Sequence, residues 1–259
     1  MVELSFSLID FEYMLLILVR IASFMFVAPF FGQNGVPAPA KIGLSFFITI
    51  ILYEVVPDPT LDYVSEIGYG IAVLKEAITG LLIGFAANIC SSIVIFAGNI
   101  IDMDIGLSMA TTFNPDMSLQ TTVTGNLYYY MIFAFMIASN THLYVLRAIA
   151  DSFYVVPIAG AAFEWDSLLV TMTKYMTDLF VIGFRIFLPF FATMMIMNCI
   201  LGIMAKVAPQ MNMFSVGIQL KILVGYIVLF LTIFMFPSVA EYVFDEIKTM
   251  VVLIIEGMY

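Results

Sequence analysis

The sequence predicts an all-α membrane protein, and two observations carry that prediction. The 259 residues are 63% hydrophobic and only 11% charged, with a mean hydropathy of +1.09. A soluble domain is about one-quarter charged, because its surface must carry groups that water solvates. The apolar residues also form long runs separated by polar breaks, as expected of helices that face lipid or other apolar protein surfaces.

Six apolar stretches define the predicted helices. In chain order they cover about residues 11–30, 42–56, 69–101, 127–150, 168–204 and 214–240. A straight span needs about 20 residues, so the second stretch is short, and the third and fifth exceed one span. Pro189 gives the fifth stretch a place to kink, because proline removes one helical hydrogen bond and collides with the preceding turn. Gly80 and Gly84, four residues apart in the third stretch, predict a face that another helix can approach closely.

The first four breaks between these stretches differ in chemistry. Residues 29–41 are rich in glycine and proline, whereas residues 56–68 and 156–167 are acidic. Residues 102–126 form a long polar segment. A polar connector of this length is uncommon in a compact helical protein unless it has a role. The 102–126 segment is therefore a candidate functional loop.

The fifth break interrupts the most apolar part of the chain with a proline and several polar side chains. Pro209 is expected to end the helix before it, because the residue preceding proline avoids the helical conformation. Asn212 or Ser215 is expected to cap the next helix by accepting from an orphan backbone N–H group. Lys206 falls in the last turn of the first helix, where a cation suits the helix dipole. The sequence thus predicts a sharp turn between two long helices.

Charge and residue types exclude several functions. The net charge of −10 leaves no basic patch for nucleic acid. His142 is the only histidine, and no cysteine or second histidine stands at metal-ligand spacing, so neither a metal site nor a cofactor is predicted. Neither a glycine-rich phosphate loop nor a catalytic triad can be recognised. The chain is therefore predicted not to be an enzyme.

Charged residues inside the apolar stretches are costly there and therefore informative. They include Arg20 in the first stretch, Lys75 and Glu76 in the third, and Asp178 and Arg185 in the fifth. One interpretation is a polar pathway, as in a transporter. The other is pairing between helices or between subunits. The residues alone leave both interpretations open.

Three segments together carry a resemblance to a known family. They read RIASFMFVAPFFGQNGVPAPAKIGLS (20–45), DMDIGLSMATTFNPDMS (102–118) and GIMAKVAPQMNMFSVGIQLKILVG (202–225). In this order they resemble the FliR family of flagellar type III export-gate subunits. The resemblance implies elongated, kinked helical hairpins that form one subunit of a helical assembly with FliP and FliQ. It also implies multi-pass placement in the bacterial inner membrane at the flagellar basal body, contact with FlhB, and a pore for unfolded flagellar proteins.

The resemblance further divides the chain and gives its breaks a meaning. Residues 1–167 would correspond to FliP, and residues 168–259 to a FliQ-like helical hairpin. The 102–126 segment would be a plug that closes the resting pore, through Gly106, Leu107, Met109, Phe113 and Pro115. The turn between the hairpin arms would contact the FliQ ring and FlhB, through Lys206, Pro209, Gln210, Asn212, Phe214 and Lys221.

The same resemblance favours pairing at subunit interfaces for the charges inside the apolar stretches. These charges are Arg20, Lys75, Glu76, Asp178 and Arg185. The alternative is a secondary membrane transporter with an intramembrane charged pathway. Transporter folds often contain paired repeats, and none is visible in this sequence.

Overall fold

The computed structural model of the chain describes residues 8–33, 35–56, 66–108, 122–210 and 212–259. Within these ranges the regular secondary structure is entirely helical, which confirms the predicted all-α class. The helices are α1 (Leu8–Val27), α2 (Ala38–Tyr53), α3 (Glu66–Ala87), α4 (Ile89–Ile105), α5 (Val123–Ala138), α6 (Thr141–Val155), α7 (Trp165–Val207), α8 (Met213–Ile233) and α9 (Phe236–Glu256).

Several of these helices are suited to a membrane. By length and composition, α3, α7 and the Ser215–Ile233 part of α8 could each cross a bilayer. Helices α5 and α6 meet the same criterion together, although the chain bends by 73° between them. Helix α2 is apolar but has only 16 residues. The described residues therefore hold three candidate spans, or four if the bent pair crosses as one.

Three of the six predicted stretches form two helices each rather than one. The third stretch divides at Asn88, and the sixth divides at residues 234–235. The fourth divides at residues 139–140, where Asn140 has a left-handed φ of 58°. Asparagine tolerates this conformation better than most residues do. A single tolerant residue is enough to turn the chain, and the polar run at the bend, residues 139–142, is short beside the apolar sequence on either side.

The fifth stretch, in contrast, is one helix of 43 residues. Helix α7 continues through Pro189, where the sequence predicts a kink. The Thr193 hydroxyl donates to the carbonyl oxygens of Pro189 and Phe190 at 3.0 and 2.9 Å. The helix is about twice as long as a straight bilayer span requires.

The chain forms two compact units. One comprises Met1–Ile89, Asn140–Tyr175 and Asp245–Tyr259, and the other comprises Cys90–Ser139 and Met176–Phe244. Each unit therefore combines segments that lie far apart in the sequence. The predicted division after residue 167 separates a FliP-like part from a FliQ-like helical hairpin. That division stays a prediction.

Helix α1 is the centre of the first unit. Leu16 and Phe24 on this helix are fully buried, and the helix packs against α2 and α3. The approach of α3 depends on Gly80, because a Cβ atom there would overlap the Arg20 carbonyl oxygen and Ser23 Oγ. This close contact confirms the small-residue face predicted on the third stretch.

Helix α2 turns its polar side inward and its apolar side outward. Lys41, Ser45 and Thr49 follow one another at four-residue spacing and are buried. The two hydroxyls donate to the carbonyl oxygens four residues earlier, at 2.8 and 2.7 Å. The opposite side carries large apolar side chains, and Phe47 and Ile51 are each 67% exposed. A helix that faces water has the reverse pattern, so the outer side of α2 suits lipid or another apolar protein surface.

The second unit depends on close approaches at two glycines. Gly98 on α4 lies so near α5 that a Cβ atom there would overlap the backbone of Gly125. Ile105 at the end of α4 sits directly against Gly225 on α8. Helix α4 is therefore held between α5 and α8 by contacts that leave no room for larger side chains.

Candidate functional site

A buried ion pair lies inside the first unit. Arg20 Nε donates to Glu76 Oε2 at 2.5 Å, and Arg20 Nη2 donates to Glu76 Oε1 at 3.0 Å. Neither side chain is exposed. The guanidinium carbon also lies 4.2 Å from the centre of the Phe153 ring. Bidentate contact is the strongest arrangement for these two groups, and two charges removed from water need it to offset their desolvation.

The remaining hydrogen-bonding groups of the pair reach α6 and the segment after it. Arg20 Nη1 donates to the Val156 carbonyl oxygen at 3.0 Å and to the carbonyl and hydroxyl oxygens of Ser152 at 3.4 Å. The Ala159 N–H donates to Glu76 Oε1 at 2.9 Å. Ala159 has a φ of 63°, which alanine seldom adopts because of its Cβ atom. The ion pair therefore holds a segment whose backbone conformation is unfavourable by itself.

The same segment is joined to the end of the chain. The Ala162 N–H donates to the Met258 carbonyl oxygen at 3.0 Å, and the Glu164 N–H donates to the Gly257 carbonyl oxygen at 3.1 Å. The segment then leads directly into α7. Its position is thus set from one side by the ion pair and from the other by the C-terminal residues.

The structure separates the five predicted interface charges into two groups. Arg20 and Glu76 pair with each other inside the chain, so neither side chain reaches a surface that another subunit could contact. This arrangement is pairing between helices within the chain, one of the interpretations that the residues alone leave open. Lys75 and Asp178 are half-buried, and Arg185 is exposed. For these three residues the interface role stays a prediction.

The two ends of the 102–126 segment meet where α4 ends and α5 begins. The buried Asp102 carboxylate accepts hydrogen bonds from the Thr124 hydroxyl and from the Thr124 N–H, the latter at 3.1 Å to Oδ2. Burial raises the pKa of the Asp102 carboxyl, and the hydrogen bonds from Thr124 offset part of that rise. Gly106, directly after α4, has a φ of 94°, which only glycine adopts without steric cost.

Asp102 also holds the start of this segment through its backbone. The N–H groups of Gly106 and Ser108 both donate to the Asp102 carbonyl oxygen, at 3.1 and 3.3 Å. Leu107, between them, is half-buried. The other residues predicted for the plug lie outside the described residues: Met109, Phe113 and Pro115. One aspartate therefore anchors the segment at both ends, and the plug role stays a prediction.

The turn between α7 and α8 has the local structure that the sequence predicts. Helix α7 ends at Val207, two residues before Pro209, and Lys206 lies in its last turn. The Asn212 side chain accepts from the Ser215 N–H at 3.4 Å and so caps α8. Asparagine is among the best residues for this position, because its short side chain reaches an N–H group that has no partner within the helix.

Exposed side chains surround this turn. Lys206, Pro209, Gln210 and Asn212 are all exposed, and Phe214 lies in the first turn of α8. Lys221 lies farther along α8 and is half-buried. The contact role predicted for these residues stays a prediction.

Asn212→Ala is expected to destabilise the protein by about 1 kcal/mol, because the first turn of α8 loses its side-chain cap. Ser215→Ala is the matched control and should cost less than about 0.5 kcal/mol, since the cap uses the Ser215 backbone N–H, which alanine retains. Thermal unfolding of the assembled protein in mild detergent would measure both. Equal losses in the two variants would contradict Asn212 as the cap.

Comparison with known proteins gives a consistent result. The family described as bacterial export proteins, family 1, matches residues 11–247. The flagellar biosynthetic protein FliR of Bacillus subtilis (strain 168) is 33% identical over 248 residues, covering 94% of this chain and 95% of that protein. The proteins of the same name from Escherichia coli (strain K12) and Aquifex aeolicus (strain VF5) are each 26% identical. Those alignments cover 89% and 85% of this chain and 87% and 84% of the respective relatives.

Proposed function

The chain belongs to family 1 of the bacterial export proteins, with FliR proteins as relatives along almost its whole length, and from this premise we propose that it is a structural and gating subunit of the flagellar export gate. In this role it works in the inner membrane at the flagellar basal body, together with FliP, FliQ and FlhB. It helps to form and to close the pore through which unfolded flagellar proteins leave the cell. The proposal gives the chain no reaction of its own.

The observation that carries the gating part is the closure of the 102–126 segment by Asp102. Loops whose ends lie close together on a rigid support are frequently functional. The two ends are anchored on α4 and α5, and the proposal assigns the closing of the pore to the residues between them. We propose that the apolar side chains of this segment, Leu107, Met109 and Phe113, block the lumen at rest and move aside for substrate.

The exposed apolar surface supports the assembly part of the proposal. Within the most apolar 18 residues of α7, only 22% are buried inside the chain. The share is the same for the most apolar 18 residues of α8. Leu188 and Ile196 on α7 are 56% and 61% exposed, and Phe230 on α8 is 62% exposed. Apolar faces of this size are covered by lipid or by other subunits. The proposal assigns part of this surface to FliP and FliQ.

Deleting residues 106–116 is expected to leave the complex intact and to make the membrane leaky to small ions. The deletion retains Asp102 and Thr124, and residues 117–122 still join the two helices in the sequence. Complex formation is checked by co-purification of FliP and FliQ with a tagged form of this chain. Ion leakage is checked by the conductance of membranes that hold the complex.

A same-length replacement of residues 107–116 by glycine and serine serves as the control. It keeps the connection between α4 and α5 but removes the apolar side chains, so it should leak as the deletion does. Unchanged conductance in an assembled complex would show that the segment only connects α4 and α5 and does not close the pore. Loss of the complex in both variants would show that the segment is needed for assembly rather than for closure.

A further inference from the structure

A second aspartate on α4 has no part in the proposed function. Asp104 lies in the last turn of α4, two residues after Asp102. Its Oδ2 atom is buried and makes no hydrogen bond to any residue that the structure describes. A buried carboxylate oxygen without a hydrogen bond is unfavourable unless an opposite charge lies nearby.

The packing of α4 on α8 brings such a charge close. Ile105, next to Asp104, lies so near Gly225 that a Cβ atom on the glycine would be 2.6 Å from Ile105 Cδ1. Lys221 lies four residues before Gly225 and therefore on the same face of α8. It is half-buried and is the only charged residue in Met213–Ile233. The contact that joins the two helices thus brings the end of α4 that carries Asp104 close to the part of α8 that carries Lys221.

The electrostatics of Asp104 agree with this placement. Burial raises the pKa of the Asp104 carboxyl, and the attraction of Lys221 lowers it. The neighbouring acid on α4, Asp102, is already bound by Thr124. The two aspartates therefore have different surroundings: Thr124 on α5 donates to Asp102, whereas Lys221 on α8 is the charge that acts on Asp104.

We propose that Asp104 and Lys221 form an ionic latch between α4 and α8 that holds the start of the 102–126 segment in place. Gly106 follows the latch directly, and its positive φ lets the chain turn away from α4 at that point. The contact itself is independent of the gating role, whereas its effect on the pore rests on the proposed function. Lys221 thereby acts within the chain rather than on a partner subunit.

The latch is tested by hydrogen exchange at Gly106 and Ser108, whose N–H groups are hydrogen-bonded to Asp102. In the assembled complex, Asp104→Asn and Lys221→Met are each expected to speed this exchange about threefold to tenfold, because the end of α4 opens more often. Lys221→Arg keeps the charge and should exchange like the unmodified protein. The exchanged pair, Asp104→Lys with Lys221→Asp, should recover most of the protection.

Asp151→Asn is the matched control, because Asp151 is exposed and lies on α6. It should leave the exchange at Gly106 and Ser108 unchanged. Unchanged exchange in both Asp104→Asn and Lys221→Met would overturn the latch. An exchanged pair no better protected than the single variants would also overturn it.

Membrane conductance then separates the latch from the gating function. If the latch and the gate are both correct, Asp104→Asn should leak, although less than the deletion of residues 106–116. Faster exchange without leakage, while the deletion does leak, would overturn the effect of the latch on the pore. If the variant that lacks residues 106–116 does not leak either, the gating function is overturned. The α4–α8 contact would then still be supported by the exchange data.

Discussion

Replacing Glu76 with alanine is expected to lower the free energy of unfolding by about 3–5 kcal/mol, because it leaves Arg20 buried and charged without a counter-ion. The substitution also removes the acceptor for the Ala159 N–H. The segment that leads into α7 would then lose the bond that holds its unfavourable backbone. The loss should appear as a lower midpoint of thermal unfolding of the complex in mild detergent and as a lower yield from membranes.

Asp151→Ala is the matched control for Glu76→Ala. Asp151 pairs with Arg147 at 3.6 Å, but the two side chains are 62% and 81% exposed. Exposed pairs contribute about 0–1 kcal/mol, because water screens the charges. If Glu76→Ala costs no more than Asp151→Ala, the buried pair does not support the fold in the way described.

The double variant Arg20→Met with Glu76→Met refines this test. Removing both charges of a buried pair is often neutral or even stabilising, since the desolvation cost disappears with the attraction. Here the recovery should be only partial, because the Val156 carbonyl oxygen and the Ala159 N–H would still lack their partners. A double variant as stable as the unmodified protein would show that these backbone contacts contribute little.

Gly98→Ala is expected to destabilise the protein by about 3 kcal/mol, because the new methyl group would overlap the backbone of Gly125 on α5. Backbone cannot rotate away as a flexible side chain can, so α4 and α5 must separate. Their separation would also strain the bond between Asp102 and Thr124. Thermal unfolding and complex yield measure the effect.

Gly70→Ala makes the same chemical change as Gly98→Ala, but its expected effect on stability has the opposite sign. Gly70 lies within α3, and among the residues that the structure describes none has an atom within 4 Å of the position a Cβ atom would take. Alanine should therefore stabilise α3 by up to about 1 kcal/mol through its higher helix propensity. Destabilisation of equal size in both variants would mean that the close contact between α4 and α5 at Gly98 is not the cause of the lost stability.

Composition by itself determined the class of this protein. With nine cations and nineteen anions among 259 residues, the chain cannot cover a water-facing surface, and long apolar runs of this kind form helices. Local chemistry likewise predicted the turn between α7 and α8. Pro209 has no N–H group to donate and disfavours helix in the residue before it, and Asn212 finds its N–H partner three residues away. Such features depend only on near neighbours, so the order of residues is sufficient to predict them.

Only the tertiary structure decided where the charges go. Arg20 and Glu76 are 56 residues apart in the sequence, and Lys174 on α7 pairs at 2.6 Å with Glu246 on α9, 72 residues away. The residues between them do not encode these partners, because pairing depends on which helices cross and at which turn. The helix crossings are set by small residues such as Gly80 and Gly98. The helix that each glycine contacts cannot be predicted from the spacing of residues in the sequence. The inward polar side of α2 has the same origin, since burial is decided by the surface that a helix meets.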